Sequence, residues 1–230
     1  MSINNINQEA LNFFNNNGFP HQKNEYWKHT NLKKFQSLKF SQSNSFDYPQ
    51  VDVDNFYSLD IPIITIVNGK IVSCPKAREI DLLSNKLQDC SNIFYDSLSV
   101  ENYESAADNP FLVLNAAHFS DGIYLKMNQK FNNVLIRIIT NNSSKELESS
   151  YSRIYIDAEK NSASKIFLHH IGVNQDASYY KNNVLSINAN QNSDVSILNI
   201  YDESLKSYSM NNIILNQFQD SNIKQSSIYL

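Results

Sequence analysis

The chain reads as a mainly β protein: a parallel β-helix, or β-solenoid, preceded by a small mixed α/β region. Two observations predict this. From Asp121 onward, short β-branched apolar runs alternate with polar turns and show no helical period. Within that stretch an Asn/Asp-Ser pair returns at 161–162, 192–193 and 220–221, spaced by 31 and then 28 residues. A period of this size marks stacked repeats, each burying its apolar face against its neighbours. Helical repeats of similar length need long 3.6-residue patterns, and the sequence has none there. A β-sandwich meander is the alternative. Polar residues stacked in register can share hydrogen bonds from coil to coil, whereas a sandwich has no reason to repeat its turns, so the solenoid is preferred. The division expected is a mixed region over 1–110 and the first coils over 111–230.

In chain order, Asn7 caps a short helix over 8–14, with Leu11 and Phe14 on one face alongside Ala10; Gly18 and Pro20 stop it. Tyr26, Trp27, Leu32, Phe35, Leu38 and Phe40 follow in a polar setting, and Ser41 to Gln50, with Pro49, reads as a loop. Ile61 to Val67, Asn68-Gly69 and Lys70 to Val72 form a hairpin, because Asn-Gly supplies the two positive-φ positions of a type I′ turn. Ile80, Leu83 and Leu87 stand at helical spacing, with Asp81 near the start. Pro110 opens another short helix through His118, with Asp108 and Asn109 as candidate caps. Strands follow at 122–125 and 134–139, separated by Asn128 and Asn132-Asn133. Three strand-turn-strand units then run through 154–156 and 166–168, 184–187 and 197–198, and 213–215 and 227–230.

The composition explains how such a turn-rich chain manages with 4 glycines: 34 asparagines stand in for them, since the short Asn side chain tolerates positive φ. A net charge of −4 gives no global attraction to nucleic acid or anionic membrane, and the thin basic group of Lys28, Lys33, Lys34 and Lys39 reads as a solvated face. No run approaches the roughly 20 apolar residues of a membrane span, and Met1 to Asn7 is no secretory signal. Cys74 and Cys90 form no disulfide framework and match no zinc spacing; as free thiols they fit a reducing cytoplasm.

Candidate chemistry is sparse. His169-His170 is the local histidine cluster, but adjacent strand residues point to opposite faces and cannot chelate one ion together; one is expected inward and one outward. His118 reads as a helix-end residue rather than a base. Asp157 and Glu159 with Asp202 and Glu203 resemble the paired acids of polysaccharide-cleaving β-helices, yet fall at turn-like positions where carboxylates are usually solvated. Phosphate-cradling glycine loops, nucleophile elbows and zinc-protease strings are missing. Trp27 and the interleaved tyrosines fit packing better than base stacking. No catalytic, cofactor-binding or metal-ligating residue is assigned.

Residues 18–32, Gly18-Phe19-Pro20 through Glu25-Tyr26-Trp27-Lys28-His29-Thr30-Asn31-Leu32, resemble the N-terminal signature of the SufB/SufD family, on its SufD side; His29 and Phe19 replace the usual Tyr and Leu. Leu114-Asn115-Ala116-Ala117-His118-Phe119-Ser120-Asp121-Gly122 resembles a second family string, and the repeats resemble the family's opening coils, including the turn at Gln219-Asp220-Ser221. The resemblance implies a non-enzymatic scaffold subunit of SUF iron–sulfur cluster assembly, partnered by SufB-like and SufC-like proteins, or a homodimer alone. It implies no cofactor held by this chain by itself, the cluster being assembled on the complex. A carbohydrate-acting β-helix enzyme and a structural solenoid are the alternatives. Family members continue through further coils, and the β-prone ending Ser226 to Leu230 reads as an uncovered edge, so a truncated chain is expected.

Overall fold

The structure, a computed structural model, describes residues 2–20, 25–43, 60–88, 109–142 and 146–230. Asp108, Cys90 and His21 lie outside the described residues, as does the proposed loop beyond Ser43.

Four strand pairs wind as coils: β5 (Ile123–Met127) with β6 (Asn133–Thr140), β7 (Glu148–Ala158) with β8 (Ala163–Gly172), β9 (Tyr179–Ala189) with β10 (Asp194–Asp202), and β11 (Tyr208–Gln217) with β12 (Asn222–Tyr229). Odd-numbered members stack in parallel as one sheet, even-numbered ones as the other. Register is unbroken: Ile123, Ile154, Leu185 and Ile213 lie opposite one another in turn. The alternate residues of both sheets fill the lumen with one apolar cluster that includes Leu125, Ile136, Ile156, Leu168 and Ile187.

The repeating pair stands where the sequence predicts. Ser162, Ser193 and Ser221 each close a four-residue corner by donating a backbone N–H to Glu159, Asn190 and Phe218 respectively. Asn161, Asn192 and Asp220 take φ of 60°, 57° and 58° in those corners, a left-handed geometry that costs other L-residues roughly 1–2 kcal/mol. The column is bonded between coils. The Asn161 backbone N–H donates to Gln191 and that of Asn192 to Gln219, while Asn192 Nδ2 donates to Asn161 Oδ1 at 2.8 Å. The change of spacing from 31 to 28 arises at the opposite corner. Ile171 to Tyr180 spans nine steps, whereas their register mates Asp202 and Tyr208 are six apart.

The N-terminal region packs outside this coil. Helix α1 (Ile3–Asn17) is longer than expected and is capped by Ser2, whose Oγ accepts from Asn5 N, rather than by Asn7; the Asn7 side chain instead donates to the carbonyls of Ala116 and Phe119. Gly18 ends it at φ 64°. After the short helix α2 (Lys33–Gln36), Ser41–Gln42 forms β1 against β7, where a loop was expected. The predicted hairpin is β2 (Ile63–Val67) and β3 (Lys70–Ser73), with Asn68 and Gly69 at φ 49° and 84°. It joins the even-numbered sheet through β2 and β6. The helix expected from Ile80 begins as a strand, β4 (Ile80–Leu82), because pairing with β5 claims those residues first; α3 (Leu83–Gln88) follows. Helix α4 (Pro110–His118) has the expected Asn109 cap and Pro at its start.

Candidate functional site

The sequence strings that set this chain apart are structural joints. Asn115, fully buried on α4, donates through Nδ2 to the carbonyls of Ser152 (3.0 Å) and Asn182 (2.8 Å) on two successive coils, and its Oδ1 accepts from Arg153 Nε at 2.9 Å. Arg153 lies over the Phe119 ring at 5.0 Å, so the cation is packed as well as bonded. Asp121 accepts from the backbone N–H groups of Ser84 and Gly122 and from Ser84 Oγ. A Cβ on Gly122 would stand 2.6 Å from the Arg153 carbonyl oxygen; glycine is required for close approach, not for its dihedrals. Phe19 and Trp27 both pack on Phe111, each at 5.6 Å between ring centroids. The two strings thus clamp the N-terminal region to the outer face of the odd-numbered sheet, where Phe35, Tyr180 and Tyr208 complete an aromatic cluster.

Inside the coil lies a set of charges that sequence reasoning missed. Lys181 is completely buried, its Nζ 2.6 Å from Glu203 Oε1 and 2.9 Å from His170 Nδ1. Burial pushes the Lys181 amine down to about 8, and the Glu203 carboxylate opposes that shift. His170 is held well below its ordinary value by burial first, then by the Lys181 charge, so its ring is neutral. The ring stacks on Tyr201 at 4.5 Å, and Tyr201 on Tyr229 at 4.7 Å, a column along the solenoid axis. Burial raises the Tyr201 phenol to about 12. A signal existed: counting back by two from inward Ala189, Ile187 and Leu185 puts Lys181 in the lumen.

The other candidates fall into place around these joints. His169 and His170 face opposite sides, as strand geometry demands: His170 lies in the lumen, and His169, on the outer face, is buried there as well. His118 ends α4 and packs on Tyr151. Glu203, its side chain 9% exposed, pairs with Lys181, and Asp157 accepts from Tyr124 and Asn190, so neither is merely solvated. The first acid pair adjoins the corner after β7 and the second the corner after β10, which are opposite edges of the coil. They form no groove. Cys74 is exposed. Among the described residues no group of three or more metal-ligating side chains comes together, and no helix is long and apolar enough to cross a membrane.

Two family models match the chain. Residues 1–135 match the SufBD protein N-terminal region, and residues 138–230 match the SufBD core domain of SUF system FeS cluster assembly. No curated protein matches it.

Proposed function

Because this chain belongs to the SufB/SufD family of the SUF iron–sulfur cluster assembly system, we propose that it serves there as a SufD-type scaffold subunit. It acts without catalytic turnover, in the cytoplasm, through contacts with SufB-like and SufC-like partners. The family assigns a part in iron–sulfur cluster assembly; the scaffold role is our reading. One observation carries it: the side chains best equipped for chemistry are spent on holding coils together. Lys181 and Glu203 tie β9 to the corner after β10, Arg153 and Asn115 tie α4 to β7, Asn182 donates to the Phe111 carbonyl of α4, and Asn183 bonds to Asn211 on the next coil. A fold whose charged interior is committed to its own rigidity is suited to presenting surfaces.

The test is co-expression of the tagged chain with the SufB-like and SufC-like proteins of the same organism, followed by size-exclusion chromatography with light scattering. A stable heteromeric complex is the expected result. Elution of the chain at its own 26.4 kDa, or as a homodimer, with both partners present in excess would overturn the reading.

A further inference from the structure

Beside the ion pair, the lumen holds a small, partly open cavity with about 20 Å³ of room, lined by Leu168 and Leu185 and by His170, Asn183, Asn199 and Asn211. That is room for one water-sized molecule and little more. The polar groups of its lining residues have defined roles. A lysine ammonium carries three donors and no lone pair, so the imidazole nitrogen 2.9 Å from Lys181 Nζ, His170 Nδ1, must be the acceptor. The neutral ring then carries its proton on Nε2, on the edge of the ring turned away from Lys181. Nε2 is buried and makes no well-formed hydrogen bond within the protein, although the Asn199 carboxamide stands close enough to act on the ring; an unmet donor there is costly unless something in the cavity accepts it.

The neighbouring carboxamides define that acceptor further. Asn183 Nδ2 donates to Asn211 Oδ1 at 2.9 Å, and Asn211 Nδ2 to Ser209 Oγ at 3.1 Å; Ser152 Oγ donates to Asn183 Oδ1. One N–H of each amide is engaged in the ladder, and each oxygen, having accepted once, has one further lone pair to offer. An occupant that meets all these groups is water-sized, accepts from the Nε2–H and can donate to the carboxamide oxygens. A halide could accept but would leave the carboxamide lone pairs unused, and a metal cation would face the Nε2 proton.

We propose that the solenoid interior holds one internal water bound to His170 Nε2 and to the Asn183–Asn211 ladder. It links the Glu203–Lys181–His170 set to the ladder, so one hydrogen-bonded chain runs across three successive coils.

The experiment is NMR on the full chain with ¹⁵N-labelled histidine, together with a crystal structure at a resolution that shows ordered water. The neutral Nε2–H tautomer is expected at His170, with magnetisation transfer from Nε2–H to a long-lived water. Density is expected within hydrogen-bonding distance of Nε2 and a carboxamide oxygen. A proton on Nδ1, or Nε2 bonded directly to Asn199 with no density in the cavity, overturns the proposal. In a folded Lys181→Met variant the tautomer is expected to move towards Nδ1–H, and an unchanged tautomer would count against the donor assignment. The wild-type measurements decide the matter if that variant does not fold.

Discussion

Burying Lys181 sets up a stability change with pH whose sign can be worked out in advance. The amine is lowered from 10.5 to about 8, chiefly by burial and against the pull of Glu203. Above about pH 8 the folded chain releases a proton that the unfolded chain still holds, up to its own value near 10.5. Stability rises with pH wherever the unfolded state binds more protons, so this residue makes the protein more stable as the solution turns alkaline. A full passage from about 8 to 10.5 is worth ~3 kcal/mol, at about 1.4 kcal/mol per pH unit. The upper part of that range is obscured by Tyr124, Tyr155 and Tyr179, whose phenols burial raises above their ordinary value. Those groups stay protonated in the fold while the unfolded chain ionises, which lowers stability from about pH 10 upward. The useful window is about pH 8 to 9.5, where Lys181 contributes ~2 kcal/mol.

Urea denaturation followed by circular dichroism across that window, on wild type and Lys181→Met, isolates the residue. The variant leaves the Glu203 carboxylate without its partner, so it is expected to be less stable by roughly 3–5 kcal/mol near neutrality. That gap should widen by ~2 kcal/mol towards pH 9.5, because only wild type gains from deprotonation. A constant gap would show that the amine does not titrate in this range. A narrowing gap would mean that Glu203 outweighs burial and holds the amine above its ordinary value, which would refute the reasoning.

Three further outcomes follow from the joints. Asn115→Ala removes the donor to two strand carbonyls and the acceptor for Arg153 Nε, so a loss of ~3 kcal/mol or more is expected in the same denaturation assay. Gly122→Ala places a methyl 2.6 Å from the Arg153 carbonyl oxygen; its cost of ~1–3 kcal/mol should come with no change in the far-ultraviolet spectrum, since only the seam between α3 and β7 must shift. At the corner, Asn192→Ala is expected to cost ~1–2 kcal/mol and Asn192→Gly clearly less, because the penalty is the left-handed φ of 57°. Equal losses would transfer the credit to the hydrogen bond with Asn161.

The corner column was legible because each of its requirements is local. A tight four-residue turn needs positive φ, Asn and Asp supply it, and equal turn lengths keep the register that makes the pair recur. The Asn68-Gly69 hairpin and the Pro110 helix were legible for the same reason. What escaped was decided by partners distant in sequence. Ile80 has helical spacing but lies beside Leu125, and strand pairing overrides propensity. Ser41–Gln42 looks like loop until β7 offers Glu148 and Ser149 as neighbours. Glu203 looks solvated until Lys181, 22 positions earlier, is found facing it.

That last pairing bears on how the coil is built. The corners at Asn161, Asn192 and Asp220 close with backbone bonds in four residues, and the lumen beside them is apolar: Ala158, Ile187 and Ala189. The returns on the other side are longer and vary in length, so backbone geometry alone does not fix them. There the side chains do it. Asn142 Nδ2 donates to the carbonyl of Ser178, Gln175 to Gly172 and Asp202, Lys206 to Asp176, and Tyr179 accepts from the Ser204 backbone N–H. Gly172 is needed because a Cβ would lie 2.5 Å from the Tyr179 hydroxyl. Lys181, His170 and Glu203 are the innermost of these staples. Their charge is placed where the turn provides no regular ladder, and an apolar replacement of Lys181 together with Glu203 would fill the same volume while leaving this edge free to slip.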